Sequence, residues 1–579
     1  MLALRKQGRM GLLATAVRAL IGRFWSEDMI RLDAVEEPFS DHPIVCSDPI
    51  AAIRDWLHLP VCSHSFTAQS WRRQRLRHRA SPCVTSGMDQ KQTPILEALA
   101  TMERRPVRGF GAPGHNLGRG AARDVRRLLG SRVFEADVIT PKGLDDRTES
   151  SHVVQRAHEI AAEAWNADFC RFVTGGSTLS LHMALAAVAR AGDTVLFAAN
   201  VHKAERAHAL AAGLDAHIVP VIVDDEWDVE HGVDPVALAA ALDANPNAKA
   251  FVVVSPTYYG VTSDIAALAD LCHARAVPLI CDSAWGGAFA FCEALPHDAL
   301  TKGADVAVYS MHKTMGALTQ GSALLARGEL VDRQRLWMAY ELYETTSPSV
   351  PILASLDAAR RDHAVDGDAT WTATIARAED LRRRIEAIDG VRVLGEPDIP
   401  PGAELDPTKV LIDVSALGVS GYAIDDWLNK HHRICVGLSD ARHLLAIVSV
   451  GTTSGDVRAL AKSLADCVAQ LRSGDLDLPS AEKAPRISTL STEMAADPAE
   501  AFFGPVEQIA LEDATGRVAA EIIAPAPPGV PRLVPGQRIT AEHVKWLTAS
   551  RDLGMFLLDP VDPSERTIRC AATGASSAG

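Results

Sequence analysis

Two strand ends carry the residue types that covalent cofactor chemistry needs. The first is the apolar run Asp305-Val306-Ala307-Val308-Tyr309, which delivers Ser310-Met311-His312-Lys313. From Thr314 to Ser322 no further charged side chain follows, so Lys313 reads as a lysine held in a site. An amine taken out of water tends to lose its charge, and a neutral amine can form a Schiff base with a carbonyl cofactor. A single lysine after a strand is ordinarily a surface residue, so other features must overturn that reading. The second strand end is Asp282-Ser283-Ala284-Trp285. A carboxylate buried there is costly unless paired, as a helix cap, through a core hydrogen bond or by a protonated ring nitrogen. Thr174-Gly175-Gly176-Ser177-Thr178 joins another strand to a helix, where backbone amides can turn toward a phosphate; an ordinary capped turn is the alternative. Asn200-Val201-His202-Lys203 and Pro256-Thr257-Tyr258-Tyr259-Gly260 close two more strands.

The elements that must position these residues alternate. Helices are expected at 93–102 and 149–164, followed by a strand at 169–173, a helix at 177–190 and a strand at 194–198. A helix at 204–212 and a strand at 216–223 come next, then a helix from Pro235, a strand at 248–254, a helix from Asp264 and a strand at 277–281. Such alternation predicts an α/β fold with a mostly parallel sheet, helices on both faces and a ligand at the carboxyl ends of the strands. Beyond Ser322 the pattern shifts to helices at 370–388, 421–430 and 456–471 and strands at 409–414 and 444–450. The expected organisation is a leader over 1–87, an N-terminal segment over 88–150, a large domain over 151–327 and a smaller α+β domain over 328–472. A linker over 473–500, rich in Ser, Pro, Ala and charge, then leads to a C-terminal domain over 501–579. Its central Pro525-Ala526-Pro527-Pro528-Gly529-Val530-Pro531 has a proline-rich recognition ligand as the rival reading.

Composition narrows the function classes. The chain has 579 residues and a formal net charge of -15, which disfavours a generic nucleic-acid binder. Ten cysteines occur without metal-ligand spacing or a disulfide framework, and free thiols suit a reducing cytoplasm. His152 and His158 read as solvated residues of one helical stretch. The apolar run at 11–21 is interrupted by Arg18, and no segment is long enough to cross a bilayer, so a soluble protein is expected. The leader lacks sustained periodicity and ends in a basic run at 71–79; it reads as poorly ordered, with the working protein starting near Met88.

Taken together and in order, these motifs from about Met88 onward resemble the bacterial ornithine/lysine/arginine decarboxylase family, pyridoxal-phosphate enzymes of the aspartate-aminotransferase-like fold type I. Ser310-Met311-His312-Lys313 resembles the family's Ser-x-His-Lys, and Asp282-Ser283-Ala284-Trp285 its pyridine-binding motif. Thr346-Ser347-Pro348-Ser349 and Gly516-Arg517-Val518-Ala519-Ala520-Glu521 also fit. Asn116, Ala204 and Val350 depart from the family's usual Lys, Ser and Tyr. The resemblance implies Lys313, Asp282 and His202 as catalytic residues. Lys313 would carry the cofactor, Asp282 would keep its ring nitrogen protonated and His202 would stack on the ring. Gly176, Ser177, Thr178, Ser310 and His312 would hold the phosphate, with Thr257, Ala284 and Trp285 completing the cofactor site. Either His202 or Lys313 would return a proton to Cα. The implied reaction is α-decarboxylation of arginine, lysine or ornithine to an amine and CO2, by a cytoplasmic homodimer or larger homo-oligomer that needs no metal, nucleic acid or membrane. An aminotransferase or aldolase of the same fold is one alternative, and a non-catalytic regulatory protein is another.

Overall fold

The computed structural model describes residues 87–104, 110–139, 144–145, 152–480, 486–525, 529–557 and 560–572. Apart from Gly87, the expected leader with its basic run lies outside them. The chain reaches its main sheet through α1 (Pro94–Arg104), α2 (Arg123–Leu129), α3 (Ser131–Ala136) and α4 (Val153–Ala164). It then alternates through β1 (Phe169–Val173), α5 (Gly176–Val188), β2 (Thr194–Ala198), α6 (Lys203–Ala212) and β3 (Asp215–Val219). A hairpin of β4 (Val221–Asp224) and β5 (Val229–Val233) precedes α7 (Pro235–Ala244), β6 (Phe251–Val254), α8 (Ile265–His273) and β7 (Leu279–Asp282). Next come β8 (Val306–Tyr309), the single turn α9 (Met311–Thr314) and β9 (Ser322–Ala326).

Among the described residues the main sheet has the order β1-β9-β8-β7-β6-β2-β3. Its strands from β8 through β7, β6 and β2 to β3 pair in parallel, whereas β9 pairs antiparallel with both β8 and β1. Every residue of β6, β7 and β8 is buried, as strands covered by helices on both faces must be, and apart from Asp282 at the end of β7 their sequences are correspondingly continuous apolar runs. One face packs on α5 and α8 through residues such as Leu185, Val253 and Leu268. Trp165, Phe172, Tyr309 and Trp371 fill the layer on the other face.

Beyond the sheet lie α10 (Arg333–Tyr343) and α11 (Val350–Glu386), then β10 (Arg392–Val393), β11 (Lys409–Asp413), α12 (Gly421–His432), β12 (Leu438–Ser439), β13 (His443–Ile447) and α13 (Ser454–Ser473). The small sheet runs β10-β11-β13-β12, all antiparallel. After α14 (Pro498–Phe503), β14 (Val506–Ala510) pairs with β15 (Thr567–Ala571) beside α15 (Ala541–Asp552). Segment 486–500 packs back on the body, with the Ile487 amide donating to Asp228 at 2.9 Å. No helix among the described residues is long and apolar enough to cross a membrane.

Four local expectations are corrected. The helix expected at 370–388 is the second half of α11. Its first half is held by a fully buried Arg360–Asp357 pair at 2.9 Å, with Arg360 also donating to the Gln90 carbonyl at 2.6 Å. The strand expected at 216–223 breaks between β3 and β4 at Pro220, which has no amide for the ladder. β9 is a strand that the sequence pattern did not suggest. His158 is buried, not solvated: its ring meets Phe172 edge to face at 5.3 Å, and burial holds its pKa well below the ordinary value.

Candidate active site

The parallel strands end on one edge, and the expected residues collect there. Asp282 is the last residue of β7, paired in register with Val254 of β6 and Val308 of β8. It is buried, and its carboxylate accepts the Ala284 amide at 3.1 Å. Burial pushes its pKa up, opposed by the Lys313 ammonium. Lys313 follows β8 on α9, with its Nζ 4.5 Å from the Trp285 ring centroid and 5.6 Å from that of Tyr258. Burial lowers the Lys313 pKa against the pull of Asp282 and Glu205, which makes the neutral, nucleophilic amine accessible.

A cup of hydroxyls forms where α5 begins. Gly176 adopts φ +76, the left-handed region that suits glycine, and brings Ser177 onto the first turn. Ser177 Oγ lies 2.6 Å from Ser310 Oγ and 3.3 Å from Ser322 Oγ, so residues from α5, the β8–α9 junction and β9 meet at one point. Thr178 is exposed on the same turn. His312 Nδ1 donates to the Gly321 carbonyl at 2.9 Å, leaving Nε2 as the ring's remaining polar atom. Hydroxyls beside unpaired first-turn amides are the donor set that a phosphate takes.

His202 caps α6: its Nδ1 accepts the Ala204 amide at 3.2 Å, which assigns the proton to Nε2. Burial, with Lys313 and Lys203 nearby, lowers its pKa to about 4, so the ring is neutral and can stack on another ring. Gly529, at φ +87, passes so close that a Cβ there would lie 2.6 Å from His202 Nε2, and its carbonyl accepts the Lys203 amide at 2.9 Å. Thr257 is buried, with its hydroxyl accepting the Val261 amide at 3.3 Å. Ala284 is buried, and its carbonyl accepts the Ser310 amide at 3.2 Å. Trp285 keeps a buried Nε1 without an acceptor among the described residues.

Two residues at this site were not singled out from the sequence. Lys409, at the start of β11, is buried with its Nζ 3.2 Å from the Trp285 ring centroid and without a hydrogen-bond partner among the described residues. Burial brings its pKa down to about 7, opposed by Asp406 and reinforced by Lys313. Glu205, on the first turn of α6, is fully buried beside Asp282. A lysine opening a strand and an acid in a helix's first turn look like solvated positions, so only tertiary packing reveals either.

This donor set fits a phosphorylated, ring-bearing aldehyde such as pyridoxal phosphate. It offers an amine of lowered pKa, a carboxylate for a ring nitrogen, a neutral stacking imidazole, a hydroxyl cup and an orphaned indole N–H. A separate cavity of about 580 Å³, lined by Arg206, Leu214, Ile218, Met494 and Val534, includes none of the expected site residues.

Residues 93–456 match the profile described as "Orn/Lys/Arg decarboxylase, major domain", and residues 483–555 match "Orn/Lys/Arg decarboxylase, C-terminal domain". The chain is 35% identical over 484 residues to a Halalkalibacterium halodurans protein named arginine decarboxylase, covering 83% of this chain and 98% of the relative. It is 33% identical over 486 residues to the arginine decarboxylase of Bacillus subtilis, with coverage of 83% and 98%. The constitutive lysine decarboxylase of Escherichia coli is 25% identical over 556 residues, covering 79% of this chain and 76% of that protein. The solved structure of that E. coli enzyme aligns with TM-score 0.70 at 21% identity, covering 84% of this chain and 82% of that one, a likeness of fold.

Proposed function

This chain belongs to the Orn/Lys/Arg decarboxylase family and decarboxylates a basic amino acid; from that premise we propose that arginine is its substrate and that Lys313 holds pyridoxal 5′-phosphate. The observation that carries the site reading is the placement of Lys313, an amine of lowered pKa enclosed with Asp282 at the carboxyl edge of the sheet. The choice of arginine is supported by the names of the relatives at 35% and 33% identity.

When bound, the cofactor supplies an electron-withdrawing ring that takes up the electron pair left as the Cα–carboxylate bond breaks. The chain's residues bind and orient around that chemistry. Ser177, Thr178, Ser310 and His312, with the first-turn amides following Gly176, grip the phosphate. Asp282 favours a protonated ring nitrogen, since an adjacent carboxylate stabilises the cation. His202, a neutral imidazole, would stack on the ring, with Thr257, Ala284 and Trp285 completing the site. With its pKa of about 4, His202 carries no exchangeable charge at neutral pH, so Lys313 is the better proton donor to Cα.

The working unit we place as a cytoplasmic homodimer. α2 and α3 bury none of their residues, and Phe110, Leu128, Leu129 and Val133 are exposed on this arm, an apolar surface that a second copy would cover. The described cysteines are free thiols, which suits a reducing compartment.

The deciding experiment is CO2 release by cofactor-loaded protein offered arginine, lysine or ornithine without any keto acid. Release from arginine well above the other two is expected. Release from lysine or ornithine instead would overturn the substrate, and release from none, with a Schiff-base absorbance that Lys313→Ala abolishes, would overturn the reaction while keeping the cofactor site.

A further inference from the structure

Glu205 has no solvent-exposed surface, and among the described residues neither of its carboxyl oxygens forms a hydrogen bond to another residue, its own backbone amide being the one N–H that favours its charge. The group within hydrogen-bonding reach is Asp282, itself a carboxyl. Two ionised carboxyls in contact repel, and they leave buried lone pairs unsatisfied on both sides. The neighbours do not supply the missing donor. Lys313 acts on both acids only through its charge. Arg206 is turned over the Phe197 ring, its guanidinium carbon 5.6 Å from the centroid, and the Tyr258 hydroxyl forms no hydrogen bond to either acid among the described residues. A proton between the two carboxyls satisfies the contact.

We propose that Glu205 is a positioning residue that stays protonated and donates its O–H to Asp282, so that the pair presents one negative charge to the cofactor's ring nitrogen. This rests on the reading of Asp282 given above. Each protonation state has a distinct consequence. Two ionised carboxyls would set a double charge against a single ring cation, and two protonated ones would set none. With one shared proton, Asp282 is clamped by the Ala284 amide at 3.1 Å on one side and by the Glu205 hydroxyl on the other. Its remaining lone pair is then left to the ring nitrogen. Burial, with the adjacent Asp282 charge, raises the Glu205 pKa well above the carboxylate range, in keeping with that state.

The test compares cofactor-loaded wild type with Glu205→Gln and Glu205→Leu. In infrared difference spectra at about pH 8, far above an ordinary glutamate pKa, wild type minus Glu205→Gln should show the carbonyl stretch of a neutral carboxylic acid. A difference confined to carboxylate bands would overturn the proposal. In turnover, Glu205→Gln keeps an N–H donor and should stay within about threefold of wild type. Glu205→Leu should lose about tenfold or more in kcat with little change in KM, the loss expected for one hydrogen bond to a charged group. Its cofactor absorbance should also become pH-dependent near neutrality. Equal impairment of both variants would show that a carboxyl, and not a neutral hydrogen-bond donor, is needed at this position, and would overturn the proposal. If Glu205→Leu does not fold, the infrared result for Glu205→Gln decides alone. An acid band in a protein whose cofactor absorbance is indifferent to Lys313→Ala would refute the cofactor reading, and with it the role given to the pair, while leaving the proton on Glu205.

Discussion

Replacing Lys409 by Met keeps the apolar stem against Trp285 and removes the ammonium, so it isolates the free energy of burying that charge. The ordinary lysine pKa is 10.5, and in the folded protein it falls to about 7. Each pH unit of that gap is worth roughly 1.4 kcal/mol, so holding the proton in the folded state costs about 5 kcal/mol when both states are fully charged. Between these two values the unfolded chain binds a proton that the folded chain does not, so stability rises with pH across the window. Below about pH 7 both states are charged and the full penalty applies; above about pH 10.5 both are neutral and it vanishes. Wild type should therefore gain about 2 kcal/mol relative to Lys409→Met between about pH 7 and about pH 9. At about pH 7 the variant should be the more stable protein, by up to about 4 kcal/mol before the loss of the cation–π contact is counted. Urea unfolding of cofactor-stripped wild type and variant, run at both pH values, measures this directly. Parallel pH dependence in the two proteins would refute the assignment, because it would mean that Lys409 keeps its ordinary pKa or that Asp406 neutralises it.

Three further outcomes are expected. Lys313→Ala should lose both the Schiff-base absorbance of the loaded protein and its turnover, and a normal spectrum in that variant would reassign the cofactor lysine. Gly529→Ala forces a Cβ into the His202 ring at a backbone conformation that costs alanine about 1–3 kcal/mol, so cofactor affinity should fall about tenfold in an absorbance titration. Unchanged affinity would show that His202 does not depend on this contact. Leu128→Asp combined with Leu129→Asp should convert a dimer to a monomer in sedimentation, and a dimer that persists would place the interface elsewhere.

What could be read from the sequence follows from how local each cause is. The bounds of β1 and β2 are those expected, because Phe169–Val173 and Thr194–Ala198 are short, mostly apolar runs, with Arg171 the one charged residue, bounded by polar or small residues. The placement of Asp282 and Lys313 at one edge was readable for a related reason: Asp282 ends β7, Lys313 lies on the turn just after β8, and the carboxyl-edge rule brings such strand ends together. β9 was not readable. Its sequence, Ser-Ala-Leu-Leu-Ala, favours helix by composition and is extended only because β8 and β1 offer it ladder partners on both sides. The first half of α11 carries Pro351 and Gly367, both locally unfavourable for a helix. Pro351 is tolerated in the first turn, and the buried Arg360–Asp357 pair joins the helix to distant sequence through the Gln90 carbonyl and the Ile95 amide. Gly367 is accommodated at a close approach, where a Cβ would lie 2.8 Å from the Phe291 Cβ.

Lys409 and Glu205 stayed hidden for a further reason, which bears on how the site works. Each is an ionisable residue in a position where charge is ordinarily solvated, and each becomes unusual only by meeting a partner from another element, Lys409 on Trp285 and Glu205 on Asp282. The two contacts oppose ionisation in complementary ways. Burial lowers the pKa of Lys409, reinforced by the nearby Lys313 amine, while burial raises that of Glu205, reinforced by the adjacent Asp282 carboxyl. If both groups were fully charged, the site would hold the buried cations Lys313 and Lys409 and the buried anions Asp282 and Glu205, with Asp406 a third anion near Lys409, each with a desolvation penalty. With Glu205 protonated and Lys409 near its titration point, the charge that remains beside the proposed cofactor is concentrated on Lys313 and Asp282. Changing either hidden residue should therefore show first in the pH behaviour of the cofactor absorbance, before any loss of fold. A thermal midpoint that falls while the absorbance titration stays fixed would argue that the two residues serve packing alone.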